Sequence, residues 1–252
     1  MNLSMDKALS VVIITRNEER NIRGCLASVR WADEVVVVDS GSTDNTVGLC
    51  RQSGCRVIET EWLGFGRTKR LAVDSASNDW ILALDADEQV SASLRQSIAD
   101  LFGTGPDRNG YRVKRRTFYL GREVRHCGWN HDYPVRLFHR KHGNFNERTV
   151  HESVQLSGPA GTIEEAILHY SYPTVHSHLQ KMERYAELGA EAMLGQGRRS
   201  SVPLALLHGA GKFLKMYVWQ LGFLDGQTGF LLALHSAFGV YWKYVKLWEQ
   251  NR

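Results

Sequence analysis

Four apolar runs dominate the first hundred positions: "SVVIIT" (10–15), "EVVVVD" (34–39), "RVIET" (56–60) and "WILALD" (80–85). They are rich in Val and Ile with little alternation, which predicts strands covered on both faces. Between them Ile22, Leu26 and Val29 recur at helical spacing. "STDNTVGLCRQSG" predicts a further helix, capped by Ser42 or Thr43 and closed at Gly54. Strands alternating with helices predict βαβ crossovers and an α/β, mostly parallel, doubly wound sheet.

The pattern changes after about residue 104. "GYRVKRRTFYLGREVRHCG" and "VRLFHRKHGNFNERTVHESV" predict short, partly exposed strands joined by loops. From Val175, the spacing of Leu179, Met182, Ala186, Ala190 and Met193 predicts a helix that stops in "GQGRRSS". The expected organisation is a main domain over 1–197, with halves of about 1–104 and 105–197, followed by a helical segment over 198–252.

That last segment is aromatic, apolar and punctuated by glycine. Lys212, Lys215, Asp225 and His235 keep every stretch short of the roughly 20 apolar residues of a membrane span. Tyr241, Tyr244 and Trp248 fall at helical spacing beside Lys243 and Lys246, the mixture expected of an amphipathic helix lying in a headgroup layer. A helical hairpin packed on the core, or a homo-oligomer interface, is the competing reading.

Composition narrows this picture only modestly. At 252 residues and 43% hydrophobic content the chain can bury a large core, which excludes a disordered protein. A net charge of +4 permits an anionic partner without selecting one, and no nucleic-acid role is expected. Cys25, Cys50, Cys55 and Cys127 lack CxxC or zinc-like spacing, so reduced thiols in a cytosolic protein are expected. The first residues read as the approach to a strand, and no export is expected.

The chemistry concentrates at strand ends. Side chains two apart on an extended chain point the same way, so Asp85 and Asp87 of "DADE" are expected to converge at the carboxyl end of their strand, where open α/β sheets bind ligands. Glu88 should alternate away. Two hard oxygen donors suit Mg²⁺ or Mn²⁺, particularly with diphosphate oxygens completing the shell; a solvated strand end is the bland alternative. "TRNEE" (15–19) and "VVDSGSTDNT" (37–46) follow the first and second strands, so three polar clusters are expected on one sheet edge. There Asp39 would accept from a base or ribose, and Gly41 would let the backbone turn and approach closely.

"SVVIITRNEE", "VVVVDSGSTDNT" and "WILALDADE" together resemble glycosyltransferase family 2, enzymes of the GT-A fold, a Rossmann-like sheet that binds nucleotide-diphosphate sugars. The resemblance implies that Thr15, Asn17, Glu18 and Asp39 line the nucleotide pocket, and that Asp85 and Asp87 form a DXD motif serving ribose, diphosphate and metal. It also implies that Lys69 in "GFGRTKRLA" lies near the nucleotide, a UDP-sugar by expectation. "RLFHR", "VHESV", "LHYSYPT" and "GFLDGQTGFLLAL" are similar to the bacterial lipopolysaccharide core glycosyltransferases. That similarity implies a lipid-linked glycan as acceptor, at the cytoplasmic face of the inner membrane.

An inverting transfer needs a general base for the acceptor hydroxyl and an electrophile for the leaving diphosphate. The resemblance implies Glu152 as base, with Asp132 as the alternative, and His169 as a third metal ligand. Adjacent His151 should face away from Glu152 if the segment is extended. The run Arg112, Lys114, Arg115, Arg116, Arg122 and Arg125 is either an acceptor-phosphate site or a solvated face. Trp129, His131 and Arg136 sit in a loop-like stretch that would shape the acceptor groove. Nucleotidylyltransferases and haloacid-dehalogenase-type phosphatases also use acidic strand ends. The chain lacks a GxGTR loop and the Thr two positions after the second Asp. A non-catalytic membrane adaptor that keeps the sheet is the other-class alternative.

Overall fold

The computed structural model describes residues 8–129, 132–148 and 152–252. Its elements run β1 (Leu9–Thr15), α1 (Glu19–Ser28), β2 (Glu34–Asp39), α2 (Thr46–Gln52), β3 (Arg56–Glu59), α3 (Phe65–Ser75), β4 (Trp80–Asp85), β5 (Glu88–Val90) and α4 (Ala92–Thr104). Then follow β6 (Gly110–Tyr119), β7 (Arg122–Val124), β8 (Val135–His139), β9 (Gly143–Phe145), β10 (Val154–Leu156), β11 (Gly161–Tyr172), α5 (Val175–Gly195), α6 (Val202–Leu214) and α7 (Gly226–Gln250). The chain forms two compact units: one up to Arg115 with Asp132–His169, the other from Arg116 to the 131 position and from Tyr170 to the end.

The α/β class expected from the alternating runs is what the chain adopts, and all four predicted strands are present. The main sheet has the order β3-β2-β1-β4-β8-β6-β11-β5, with β7 paired to β6. Strands β3, β2, β1 and β4 are parallel, whereas β8 joins β4 antiparallel. The continuous apolar runs have a simple cause, since alternate residues enter different cores. Val11, Ile13, Val37 and Leu82 pack with Ile22 and Leu26 of α1 and with Leu94, Ile98 and Phe102 of α4. Val12, Ile14, Val36 and Ile81 pack with Ala72 and Val73 of α3.

Two local expectations fail for identifiable reasons. Helix α2 starts at Thr46, behind Asn45, rather than at a Ser42 or Thr43 cap. The Ser42 hydroxyl instead donates to Asp39, and Thr43 donates its N–H to Asn17 Oδ1 at 2.7 Å. Strand β4 ends at Asp85, Ala86–Asp87 forms a turn, and β5 begins at Glu88. Asp85 and Asp87 are therefore not two residues apart on one extended strand, and the inference that their side chains are parallel lapses with the turn.

In the second unit α5 and α6 both pack on α7. Thr174 and Ser177 form a reciprocal cap at the start of α5. The inward face of α5 carries His178, Ala186, Ala190 and Met193, while Leu179, counted in the apolar spacing, is exposed. On α7, Tyr241, Tyr244 and Trp248 are half-buried, Tyr244 stacks on His208 at 4.1 Å, and Leu247 is fully buried. Among the described residues, no helix is long and apolar enough to cross a membrane.

His178 Nδ1 lies 3.0 Å from the buried Tyr119 hydroxyl and 3.2 Å from His235 Nδ1. Burial, and then the neighbouring His235, push its pKa down to about 4. An imidazole kept neutral in the folded state but free to protonate when unfolded favours unfolding as pH falls below the ordinary histidine value. Its stabilising contribution is therefore complete above about pH 6.5 and lost progressively towards pH 4. Urea unfolding is expected to give roughly 2 kcal/mol less stability at pH 5 than at pH 7 from this residue. His178→Gln should flatten that slope; an unchanged slope would show that the loss arises elsewhere.

Candidate active site

Strand register brings the predicted polar clusters to one edge. Thr15 pairs with Asp39 between β1 and β2, and Ile14 pairs with Asp85 between β1 and β4. Thr15 and Ser40 are both more than nine-tenths buried, and among the described residues neither hydroxyl oxygen has a hydrogen-bond partner. Two unsatisfied buried hydroxyls at a strand edge suit a polar ligand that supplies the missing bonds.

Around them two loops are cross-linked. Asp39 Oδ2 accepts from Gly41 N–H at 3.0 Å and Ser42 N–H at 2.8 Å, so this carboxylate first of all builds its own turn. Gly41 has φ +81°, the left-handed turn conformation expected of it, and open space where a Cβ would stand. Asn17, itself at φ 56°, donates its N–H to Ser42 Oγ at 2.8 Å. Glu18 donates its N–H to Thr46 Oγ1 at 2.9 Å and accepts from Asn21 Nδ2 at 2.7 Å.

Beside this edge lies a chain of seven charges of alternating sign: Glu152, Lys69, Asp85, Arg136, Glu88, Arg115 and Asp132. Lys69, on α3, places Nζ 2.7 Å from Glu152 Oε1 and 2.8 Å from Asp85 Oδ1. Arg136 Nη2 donates to Asp85 Oδ2 at 2.8 Å and to Glu88 Oε1 at 2.6 Å. Arg115 Nη1 donates to Glu88 Oε1 at 3.2 Å, and its Nε to Asp132 Oδ2 at 2.7 Å. Glu88 also accepts the Asp85 N–H at 2.9 Å. Burial works to raise the Asp85 pKa, but the Lys69 and Arg136 charges hold it well below the usual carboxylate range. Arg136 is likewise kept charged by Glu88 and Asp85 against the effect of burial.

The helix that carries Lys69 is seated by Gly66. A Cβ there would stand 2.2 Å from the Asn146 carbonyl oxygen, and the Gly66 N–H donates to the Arg148 carbonyl at 3.0 Å. This close approach fixes α3 against the segment leading towards Glu152.

Of the expected metal ligands, Asp87 and His169 are brought together, with His169 Nε2 3.5 Å from Asp87 Oδ2. Asp85 is turned into Lys69 and Arg136 instead. Among the described residues no group of three or more His, Cys, Asp or Glu is arranged to hold a metal ion. The donor chemistry of Asp87 with His169 still fits Mg²⁺ or Mn²⁺ where ligand oxygens complete the shell. Asp85, neutralised by two cations, fits that role poorly here.

Arg136 is on β8, 4% exposed and committed to the charge chain, so it does not line a loop-borne groove. Trp129 is half-buried in the second unit, tilted against Tyr172 at 6.2 Å. His131 and His151 lie outside the described residues. Within the basic run, Arg116 and Arg125 pair with Glu123, and Arg115 with Glu88 and Asp132. Glu88, which alternation would send away from the site, is fully buried beside Asp85 because the turn at 86–87 redirects it. The "DADE" turn after a buried strand was the available signal for this.

The profile of "Glycosyl transferase family 2" matches residues 10–155. An uncharacterized glycosyltransferase of Rickettsia felis is 31% identical over 96% of this chain and 89% of its own length. The lipopolysaccharide core biosynthesis glycosyltransferase LpsC of Rhizobium meliloti is 28% identical over 94% of this chain and 93% of its own. Among solved structures, S. aureus TarS 1–349 in complex with UDP-GlcNAc aligns over 97% of this chain and 91% of its own, with TM-score 0.49 and 15% identity.

Proposed function

Because the chain belongs to glycosyltransferase family 2, we propose that it is an inverting, metal-dependent enzyme that moves a hexose from a UDP-sugar to a lipid-linked glycan. The name of the LpsC relative supports the lipopolysaccharide inner core as the acceptor class. The observation that supports the reading best is the Lys69 ammonium shared between Asp85 and Glu152, which sets the proposed donor and acceptor chemistry side by side.

In this reading Thr15, Asn17, Glu18, Asp39 and Gly41 receive the nucleoside, and the orphaned Thr15 and Ser40 hydroxyls gain their missing bonds from it. Asp85 lies towards ribose and diphosphate, with Lys69 beside it as a cation for the diphosphate. Asp87 and His169 would hold a divalent metal, whose contribution when bound is to neutralise charge on the leaving diphosphate. Glu152, positioned by Lys69, takes the proton of the acceptor hydroxyl. Asp132 is the second choice, because Arg115 holds it at two points at the far end of the charge chain.

The residues over 1–197 would form the GT-A domain, and those over 198–252 would rest on the cytoplasmic face of the inner membrane, where a lipid-linked acceptor is presented. Calorimetric titration with UDP is expected to give saturable binding in Mn²⁺ that disappears with chelator. Absence of UDP binding in both conditions would favour the non-catalytic adaptor.

A further inference from the structure

The motif "GFLDGQTGFLLAL" takes no part in the charge chain, yet it belongs to a distinctive connection in the second unit. Between α6 and α7 the backbone makes a π-helical turn over Lys215–Trp219 and a 3₁₀ turn over Gly222–Asp225. Its inner side is tightly filled, with Met216 buried beside Cys127, Leu232 and Ala233. A Cβ on Gly222 would stand 2.6 Å from Cys127 Sγ, and one on Gly229 would stand 1.9 Å from the Gly222 carbonyl oxygen. With that side filled, six other apolar residues face outward. Leu214, Val218, Trp219, Leu221, Phe223 and Leu224 are all exposed, Trp219 by 84%. Leu221 is held at φ 57°, a left-handed conformation uncommon for any residue but glycine, so the backbone is strained where it turns this leucine to solvent.

The exposed charge within this segment is positive. From Leu214 to Phe230 the charged residues are Lys215, which is exposed, and Asp225. Asp225 is withdrawn, accepting from His126 N–H at 2.8 Å and lying 2.8 Å from His126 Nδ1. Lys215 is exposed while Lys212 and Lys243 are half-buried, and burial, then the Lys215 and Lys243 charges, pull the Lys212 pKa down.

We infer that the 214–224 connection is a wedge that docks on an anionic lipid surface, its six apolar side chains entering the headgroup boundary while Lys215 meets lipid phosphates. Exposed apolar side chains on a segment whose own exposed charge is Lys215 match that surface. A second copy of the same face would bring the two Lys215 side chains together and is disfavoured by like charge. The inference rests on the lipid-linked acceptor reading and names its docking surface, which is this connection and not the aromatics near the end of α7.

Flotation of the full chain with vesicles of phosphatidylcholine, alone or mixed with phosphatidylglycerol, tests it. The protein should float with the mixed vesicles, and its tryptophan emission should shift to the blue, a shift that Trp219→Phe removes. The triple variant Trp219→Ser, Phe223→Ser, Leu224→Ser should lose roughly 10-fold or more of the bound fraction while still binding UDP as the parent does. Lys215→Glu should weaken binding to mixed vesicles only and reduce its salt dependence. Unchanged flotation of the triple variant overturns the inference. So does a dimer that the triple variant abolishes in a protein that ignores vesicles. Flotation without UDP binding would sink the transferase reading and leave the wedge standing.

Discussion

Asp87→Ala is expected to abolish sugar transfer in a folded protein, while Glu152→Gln keeps donor binding and loses roughly 10²-fold or more in kcat. The two substitutions act on different halves of the reaction. Asp87 sits beside His169 with a carboxylate oxygen 3.5 Å from the imidazole, where charge on the diphosphate would be met. Glu152 is the acidic group joined to Asp85 through a single lysine, and glutamine keeps its shape while removing its basicity. Calorimetry with UDP and Mn²⁺ separates them: weakened metal-dependent binding is expected for the Asp87 variant and near-parental binding for Glu152→Gln. Transfer at parental rate by both variants would remove the assignment. If Asp132→Asn, rather than Glu152→Gln, lowers kcat, the base lies at the other end of the charge chain.

The second large effect is on stability. Arg136→Met should cost about 3–5 kcal/mol, the usual result of removing one partner from a buried ionic group. Its guanidinium is the link between Asp85 and Glu88, and without it the fully buried Glu88 keeps only Arg115 as a cation and the part-exposed Asp85 only Lys69. For a chain of this length the loss corresponds to a fall in Tm of roughly 10 °C. Adding Glu88→Gln to Arg136→Met should restore part of it, because one of the stranded charges is gone. A melting temperature equal to the parent's would mean that water reaches the pair and screens it.

Much of this architecture was legible in the amino-acid sequence, for physical reasons visible in particular residues. Val11 to Ile14 alternate between two cores, so the run had to be apolar throughout, and that is how a strand buried on both faces announces itself. The strand-end clusters were legible as well, because parallel pairing places Thr15 beside Asp39 and Ile14 beside Asp85. What alternation could not supply was the turn at Ala86–Asp87. It folds Glu88 back under Asp85, where a period of two would have sent it away. Arg136 was misplaced for a related reason. Its pairing with Asp85 spans 51 residues in sequence and depends on β8 joining β4 antiparallel, which no local pattern encodes. The spacing of Tyr241, Tyr244 and Trp248 marked one side of α7, but that this side is half-buried could not be read from it, because α7 has α5 and α6 as neighbours.

The alternation of sign along Glu152, Lys69, Asp85, Arg136, Glu88, Arg115 and Asp132 bears on how such a site can drift over generations. Neutralising any interior member leaves its two neighbours, alike in charge, without the group between them. Tolerated change at these positions should therefore come in compensating pairs, so that Asp85 and Arg136, or Glu88 and Arg115, are replaced together or not at all.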